Sequence, residues 1–177
     1  LPSITVLGDT SVTVEVGSIY VDEGATATDN YNGDLTSSIV TVNPVDTSIV
    51  GMYLVTYDVE DSSGNDAPQQ SRTVEVVDTA APIITVLGDN PATVEVNTVY
   101  GDAGATAYDV GDGDVSSSIA TTNPVNTAIL GTYTVTYSVA DRIGNLATAT
   151  RTVEVVDTEN PTINSVSLSA TRVNEGD

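Results

Sequence analysis

The sequence predicts an all-β protein made of two successive β-sandwich units, and three observations predict it. First, PSITVLGD at Pro2 returns as PIITVLGD at Pro82, and GMYLVTY at Gly51 returns as GTYTVTY at Gly131. Second, valines and tyrosines alternate with polar residues, as strands with one buried face require. Third, glycine, asparagine and proline turn motifs interrupt these runs at short intervals. A period of about 80 residues suits a whole small domain better than a solenoid unit.

The domain boundaries follow from this period. We expect unit one over residues 1–79, unit two over 80–158 and the incomplete start of a third, divergent unit over 159–177. The linkers DTAAP (78–82) and DTENP (157–161) are short and end in proline, so neighbouring units should lie end to end with limited freedom. Because both ends of the chain cut into the repeat pattern, we expect it to be a segment of a longer array.

The strands of unit one follow from its alternating apolar residues. We expect strands over 3–7, 11–16, 25–29, 38–43, 51–60 and 70–77, with 46–49 considered as a seventh. Six or seven short strands in so small a unit favour an immunoglobulin-like sandwich. Since β-branched residues dominate, no helix longer than one turn is expected. Tyr53 and Tyr57 share one strand face with Val55, as Tyr133 and Tyr137 do with Val135, so we expect these tyrosines in the core. Tyr57 and Tyr137 are expected to hydrogen-bond their hydroxyl groups near a strand corner.

The composition excludes several classes of function. The chain has 25 acidic residues against four arginines, and it has no histidine, cysteine, tryptophan or phenylalanine. Lysine is also absent. Disulfides, cysteine-based metal sites, histidine-dependent catalytic triads and lysine-containing phosphate loops are therefore excluded. A net charge of −21 disfavours nucleic acid and anionic membrane surfaces as partners and favours divalent cations.

The repeated motifs resemble those of the bacterial immunoglobulin-like surface repeats. LGD, TVEV, GATA and RTVEVVDT occur in both units, and the resemblance covers residues 2–158. The family includes a pesticidal-crystal-protein group and is related in style to hyalin repeats. The resemblance implies an extracellular or cell-surface β-sandwich, commonly in tandem, with a structural or adhesive role and no catalysis. Residues 161–177 lack the LGD turn and look like the opening of a different immunoglobulin-like repeat.

The acidic loops are the candidate metal sites. In such a sandwich, the loop after the third strand, the loop before the last strand and the preceding linker meet at one pole, where carboxylate oxygens could hold calcium. The candidate ligands are Asp29, Asn32, Asp34, Asp61, Asp78, Asp109, Asp112, Asp114, Asp141 and Asp157. The alternative is that these side chains only cap turns. We also expect Asp22, Glu23 and Asp102 at the opposite pole, near the departing linker.

These observations predict a spacer or stalk segment of a bacterial cell-surface or secreted, adhesin-like protein, stiffened by calcium between units, and not an enzyme. Its expected partners are neighbouring repeats of the same polypeptide. One alternative is an adhesion module that binds a glycan or protein, for which Tyr31 and Tyr108 are the candidate contact residues. A second alternative is a filament subunit that donates a strand, for which 161–177 is the candidate segment.

Overall fold

The computed structural model describes residues 1–165 and contains two β-sandwiches in succession. This confirms the predicted all-β fold of tandem immunoglobulin-like sandwiches. Within the described range the only helical segments are two three-residue 3₁₀ turns, Thr36–Ser38 and Ser116–Ser118. No helix in that range is long and apolar enough to cross a membrane. Most of the predicted third unit, residues 166–177, lies outside the described range, and so does most of the segment considered for strand donation.

Unit one contains seven strands in two sheets. They are β1 (Ser3–Val6), β2 (Ser11–Glu15), β3 (Ala25–Asp29), β4 (Gly33–Asp34), β5 (Val40–Val42), β6 (Gly51–Asp58) and β7 (Gln70–Val77). One sheet has the order β1-β3-β4 and the other has the order β2-β7-β6-β5. The six predicted strands are present. The seventh, at 46–49, is a turn instead, because the Asp46 carboxylate accepts the Ser48 N–H at 2.9 Å and bends the chain there.

Unit two repeats this arrangement. Its strands are β8 (Ile83–Val86), β9 (Ala92–Glu95), β10 (Ala105–Asp109), β11 (Gly113–Asp114), β12 (Ala120–Thr122), β13 (Gly131–Ala140) and β14 (Leu146–Val156). The sheet orders are β11-β10-β8 and β12-β13-β14-β9. The equal order of strands in both units is what the repeated motifs predict.

Each unit begins in one sheet and ends in the other. β1 pairs antiparallel with β3, the chain then crosses over at 7–10, and β2 pairs parallel with β7. Gly8 makes this crossover with φ of +68°, a conformation that glycine adopts without strain. β1 starts beside the end of β3, and the loop after β3 is bonded to the loop between β6 and β7 through Asn32 and Ser62. Because β7 runs from that pole to the other, the chain enters and leaves the unit at opposite poles.

A buried arginine lies beneath each crossover. Arg72 is 1% exposed, its Nε donates to the Asp9 carbonyl at 2.8 Å, and its Nη2 donates to the Leu7 carbonyl. Its Nη1 forms an ion pair with Asp22. The hydroxyl of Tyr57, a fully buried core residue, donates to the same Asp22 carboxylate at 2.7 Å. Burial of an arginine is tolerated because its charge and most of its donors are paired.

Unit two contains the same ion pair and tyrosine contact, with Arg151, Asp102 and Tyr137 in place of Arg72, Asp22 and Tyr57. Its arginine is bonded differently, because Arg151 Nη2 donates to the Gly104 carbonyl at 3.4 Å and Arg151 Nε has no hydrogen-bond partner among the described residues. Burial and the hydrogen bond to Asp102 raise the pKa of Tyr137 to about 12. The expectation that Asp22 and Asp102 lie near the departing linker is therefore wrong. Glu23 is also displaced from that position, since its carboxylate lies against Gly8 of the crossover.

Candidate metal centre

Three carboxylates converge where the linker enters unit two. Asp78 follows β7, Asp109 ends β10, and Asp141 follows β13. Each offers one oxygen atom, and these atoms all lie within 4.8 Å of one another. All three residues are buried. We call this group the junction triad, and it brings together one residue from the linker and two from loops of unit two.

Backbone N–H groups hold Asp109 in place. Its Oδ1 accepts hydrogen bonds from the N–H groups of Gly111 at 2.8 Å and of Asp112 at 2.9 Å. This turn, in which a side chain bonds the backbone two and three residues later, is typical of aspartate. Asp109 can therefore direct its other oxygen toward the triad without losing these bonds.

Asp141 is held in the same way by the loop that follows it. Its Oδ1 accepts the N–H groups of Ile143, Gly144 and Asn145 at 2.9, 2.6 and 2.8 Å. The Asn145 amide also donates to Asp141 Oδ2 at 2.6 Å. Burial by itself raises the pKa of Asp141, but the hydrogen bonds from Asn145, Gly144 and Ile143 outweigh it and lower the pKa. Asp141 therefore stays ionised at neutral pH.

Asp78 is the member of the triad whose buried negative charge is least compensated by hydrogen bonds. Its Oδ1 is buried and has no hydrogen-bond partner among the described residues. Burial, and then the charges of Asp109 and Asp141, raise its pKa. The Asn145 amide donates to the Asp78 carbonyl at 3.1 Å, which ties the linker backbone to unit two. A Cβ added at Gly111 would lie 2.5 Å from Asp78 Oδ2, so the approach of this carboxylate requires glycine there.

The donor set of the triad fits a hard divalent cation. Its ligands are all carboxylate oxygens, which calcium and magnesium prefer. Within residues 1–165, no arginine lies within ion-pairing distance of the three carboxylates. A cation would neutralise this excess charge and supply a partner for the orphaned Asp78 oxygen.

The other candidates in unit two lie outside the triad. Asp112 lies at its rim, where its Oδ2 accepts the Arg142 N–H at 2.6 Å and its Oδ1 lies 3.5 Å from the Arg142 guanidinium. Asp114 Oδ1 accepts the Ser116 N–H at 2.9 Å and so caps the 3₁₀ turn. Asp157, in the second linker, is exposed. The hydrogen bond of Asp114 is of the kind that the turn-capping alternative describes.

Unit one has a pair of carboxylates at the equivalent pole. Asp29 Oδ1 accepts the N–H groups of Tyr31 and Asn32, and Asp61 Oδ1 accepts those of Ser63 and Asn65. The amino group of Leu1 lies 3.5 Å from Asp29 Oδ2.

Two further candidates in unit one have local hydrogen-bonding roles. The Asn32 amide donates to Ser62 Oγ at 2.7 Å and joins the two loops of the pole. Asp34 Oδ1 accepts the Thr36 N–H at 2.9 Å, as Asp114 does with Ser116 in unit two.

The units also touch beside the triad, a contact that sequence reasoning did not predict. The Val110 side chain lies against Gly17, and a Cβ added at Gly17 would lie 2.5 Å from Val110 Cγ1. The linker is held on the side of unit one by Glu15, whose carboxylate accepts the Thr79 N–H at 2.6 Å. One available signal was the valine itself, an apolar residue in a polar loop where unit one has Asn30.

Comparison with known proteins identifies relatives of both units. The family model described as bacterial surface protein, Ig-like domain, matches residues 4–76 and 84–155. Hyalin from Lytechinus variegatus is 35% identical over 167 residues, which cover 88% of this chain and 31% of hyalin. Pesticidal crystal protein Cry22Aa from Bacillus thuringiensis is 31% identical over 175 residues, 90% of this chain and 24% of that protein. The chain thus spans less than a third of either relative.

Among solved structures, the M60 catalytic domain with the CBM51-1 and CBM51-2 domains from Clostridium perfringens ZmpB is similar over 97% of this chain and 33% of that one. The TM-score is 0.51 and the sequence identity is 14%. This similarity concerns the fold alone.

Proposed function

Because the chain belongs to the bacterial surface Ig-like domain family, we propose that its two units form a spacer of a cell-surface protein and that calcium stiffens their junction. The role is mechanical and not catalytic. The buried carboxylate of the linker residue Asp78, whose Oδ1 has no hydrogen-bond partner among the described residues, carries the calcium part of the proposal. The family places the chain at the bacterial cell surface.

The path of the chain supports the spacer role. Each unit is entered at one pole and left at the other, so consecutive units add length. The linker leaves little slack, because Glu15 binds Thr79 on one side and Asn145 binds the Asp78 carbonyl on the other. Neighbouring repeats of the same polypeptide are the partners that this geometry serves.

The geometry of the junction triad supports the calcium part of the proposal. A bound cation would be held by Asp78, Asp109 and Asp141 and would supply positive charge between the linker and unit two. Binding to the folded state alone adds about 2.7 kcal/mol of stability when the ion is present at a hundredfold excess over Kd. For a domain of this size, each kcal/mol raises the melting temperature by about 4–8 °C.

Calorimetric melting in chelator and in millimolar calcium chloride tests whether calcium binds at the junction. We expect the transition of unit two to rise by about 10 °C or more in calcium. Sodium chloride at the same ionic strength is the matched control, because a monovalent salt screens charge without being a ligand-seeking divalent cation. Equal melting temperatures in chelator and calcium would refute the calcium part and leave the spacer part standing.

Distance measurements test the spacer role. The chain contains no cysteine, so spin labels on Ser11→Cys and Thr132→Cys report a single distance between the two units. We expect a narrow distance distribution that narrows further in calcium. A broad distribution that includes folded-back arrangements would refute the spacer role.

A further inference from the structure

The outer face of the β8-β10-β11 sheet in unit two carries an aromatic platform. We propose that this platform binds a neutral pyranose sugar, stacked on Tyr108. The site lies on a different face from the junction triad and does not depend on the spacer role or on calcium.

Strand register places the platform residues together. Tyr108 on β10 is paired with Ile83 on β8 and with Asp114 on β11. In the next row along the strands, Thr106 is paired with Thr85. Residues two apart on a strand share one face, and adjacent strands lie about 4.8 Å apart, so the five side chains form one continuous patch. They line a groove of about 340 Å³ together with Ser116.

The chemistry of the patch matches a sugar ring. Tyr108 is 60% exposed and Ile83 is 72% exposed, which is unusual for large apolar side chains in direct cross-strand contact. The C–H groups of a pyranose ring pack on such apolar and aromatic surface, while its hydroxyl groups need polar partners at the edge.

Those polar partners surround the tyrosine. Asp114 Oδ1 accepts the Ser116 N–H, and within the described residues its Oδ2 makes no hydrogen bond, so it can accept from a sugar hydroxyl. The hydroxyl groups of Thr85 and Thr106 can both donate and accept. Because the chain carries a charge of −21 and the patch itself contains a carboxylate, anionic sugars are disfavoured.

Comparison of the two units shows which residues of the platform are specific to unit two. At the positions of Ile83 and Tyr108, unit one has Ser3 and Thr28, which form the same cross-strand pair. The aspartate and both threonines of the patch are the same in the two units. Since unit one has the same fold without the apolar pair, that pair is not needed for folding.

The test is an NMR titration of the ¹⁵N-labelled chain with neutral oligosaccharides, namely cellohexaose, mannohexaose, maltohexaose and chitohexaose at millimolar concentration. With at least one of them, we expect shifts of the amides of Thr85, Thr106, Tyr108 and Asp114. Tyr108→Thr, which restores the residue of unit one, should weaken binding at least about tenfold. The other tyrosine that the sequence offers for glycan contact, Tyr31, lies in the loop between β3 and β4 of unit one and is not part of this platform. Tyr31→Thr is therefore the matched control and should leave the affinity unchanged.

A reciprocal variant distinguishes binding at a specific site from nonspecific binding. Ser3→Ile combined with Thr28→Tyr builds the platform in unit one and should raise the stoichiometry from one sugar to two. The proposal is overturned if no oligosaccharide shifts these amides, or if binding persists undiminished in Tyr108→Thr. Salt-sensitive binding of tetramethylammonium chloride at the patch, with no sugar binding, would also overturn it, because the platform would then recognise a cation.

Discussion

Replacement of Asp78 by asparagine should have opposite effects on stability with and without calcium. The substitution keeps the size of the side chain and the hydrogen bond from Asn145 to the Asp78 carbonyl. It removes one of three negative charges and one candidate ligand. In chelator the variant should therefore be more stable than the wild type, and in calcium it should be less stable.

The expected size of the effect in chelator follows from the geometry. The triad oxygens lie within 4.8 Å of one another, so each repulsion that Asp78 feels costs at least about 0.9 kcal/mol even at the dielectric constant of water. Removal of two such repulsions recovers about 2 kcal/mol, which raises the melting temperature of unit two by about 8–16 °C. Salt screens these repulsions only weakly, because the separation is below the Debye length of about 8 Å at physiological ionic strength.

The pH dependence of the folding stability tests independently whether the Asp78 charge destabilises the folded state. The pKa of Asp78 is raised in the folded protein, so in chelator the folded state takes up a proton at a higher pH than the unfolded state does. Ionised Asp78 destabilises the folded state by its full amount above the folded-state pKa. This destabilisation is lost as the pH falls from that pKa toward the ordinary aspartate value of 3.8. The stability difference between the variant and the wild type should therefore shrink as the pH falls through this window.

Differential scanning calorimetry in chelator and in calcium measures both effects. Asp157→Asn is the matched control, because it makes the same change in the same VVDT motif at an exposed position. We expect it to alter the melting temperature little under either condition. If Asp78→Asn destabilises the chain in chelator, the carboxylate is not under electrostatic strain and the reasoning fails.

Two further predictions concern the glycine of the triad loop and the buried arginine. Gly111→Ala places a Cβ 2.5 Å from Asp78 Oδ2 and should remove most of the calcium-dependent rise in melting temperature. Gly101→Ala, with no atom within 4 Å of its added Cβ, should preserve that rise. Arg151→Leu should cost about 3–5 kcal/mol in urea denaturation, because it leaves the Asp102 charge without its partner. Addition of Asp102→Asn should recover part of this loss, and no recovery would show that packing alone matters.

Much of the fold was predictable from local patterns. Alternation of apolar and polar residues located six strands of unit one, because a half-buried strand has a strict period of two residues. The same pattern failed at 46–49, where Asp46 bonds its own backbone and makes a turn. The convergence of Asp78, Asp109 and Asp141 followed from the topology of the sandwich, which brings two loops and a linker to one pole.

The side-chain partners were less predictable. Asp114 is a candidate ligand by its spacing, but in the structure it lies outside the triad and its Oδ1 accepts the Ser116 N–H, and spacing alone does not predict these partners. The pairing of Arg72 with Asp22 joins residues 50 positions apart and depends on where the crossover lies above β7. One signal was present, since Arg72 recurs as Arg151 in a chain with only four arginines.

The crossover arginine of unit one also helps that unit to resist tension. A pull on the two ends of the chain draws β2 toward one pole and β7 toward the other. Because these neighbouring strands are parallel, their hydrogen bonds are loaded in shear and resist together, instead of opening one at a time. Arg72 projects from β7 and binds the carbonyls of Leu7 and Asp9 on the crossover, so it clasps the two segments that the force would slide apart.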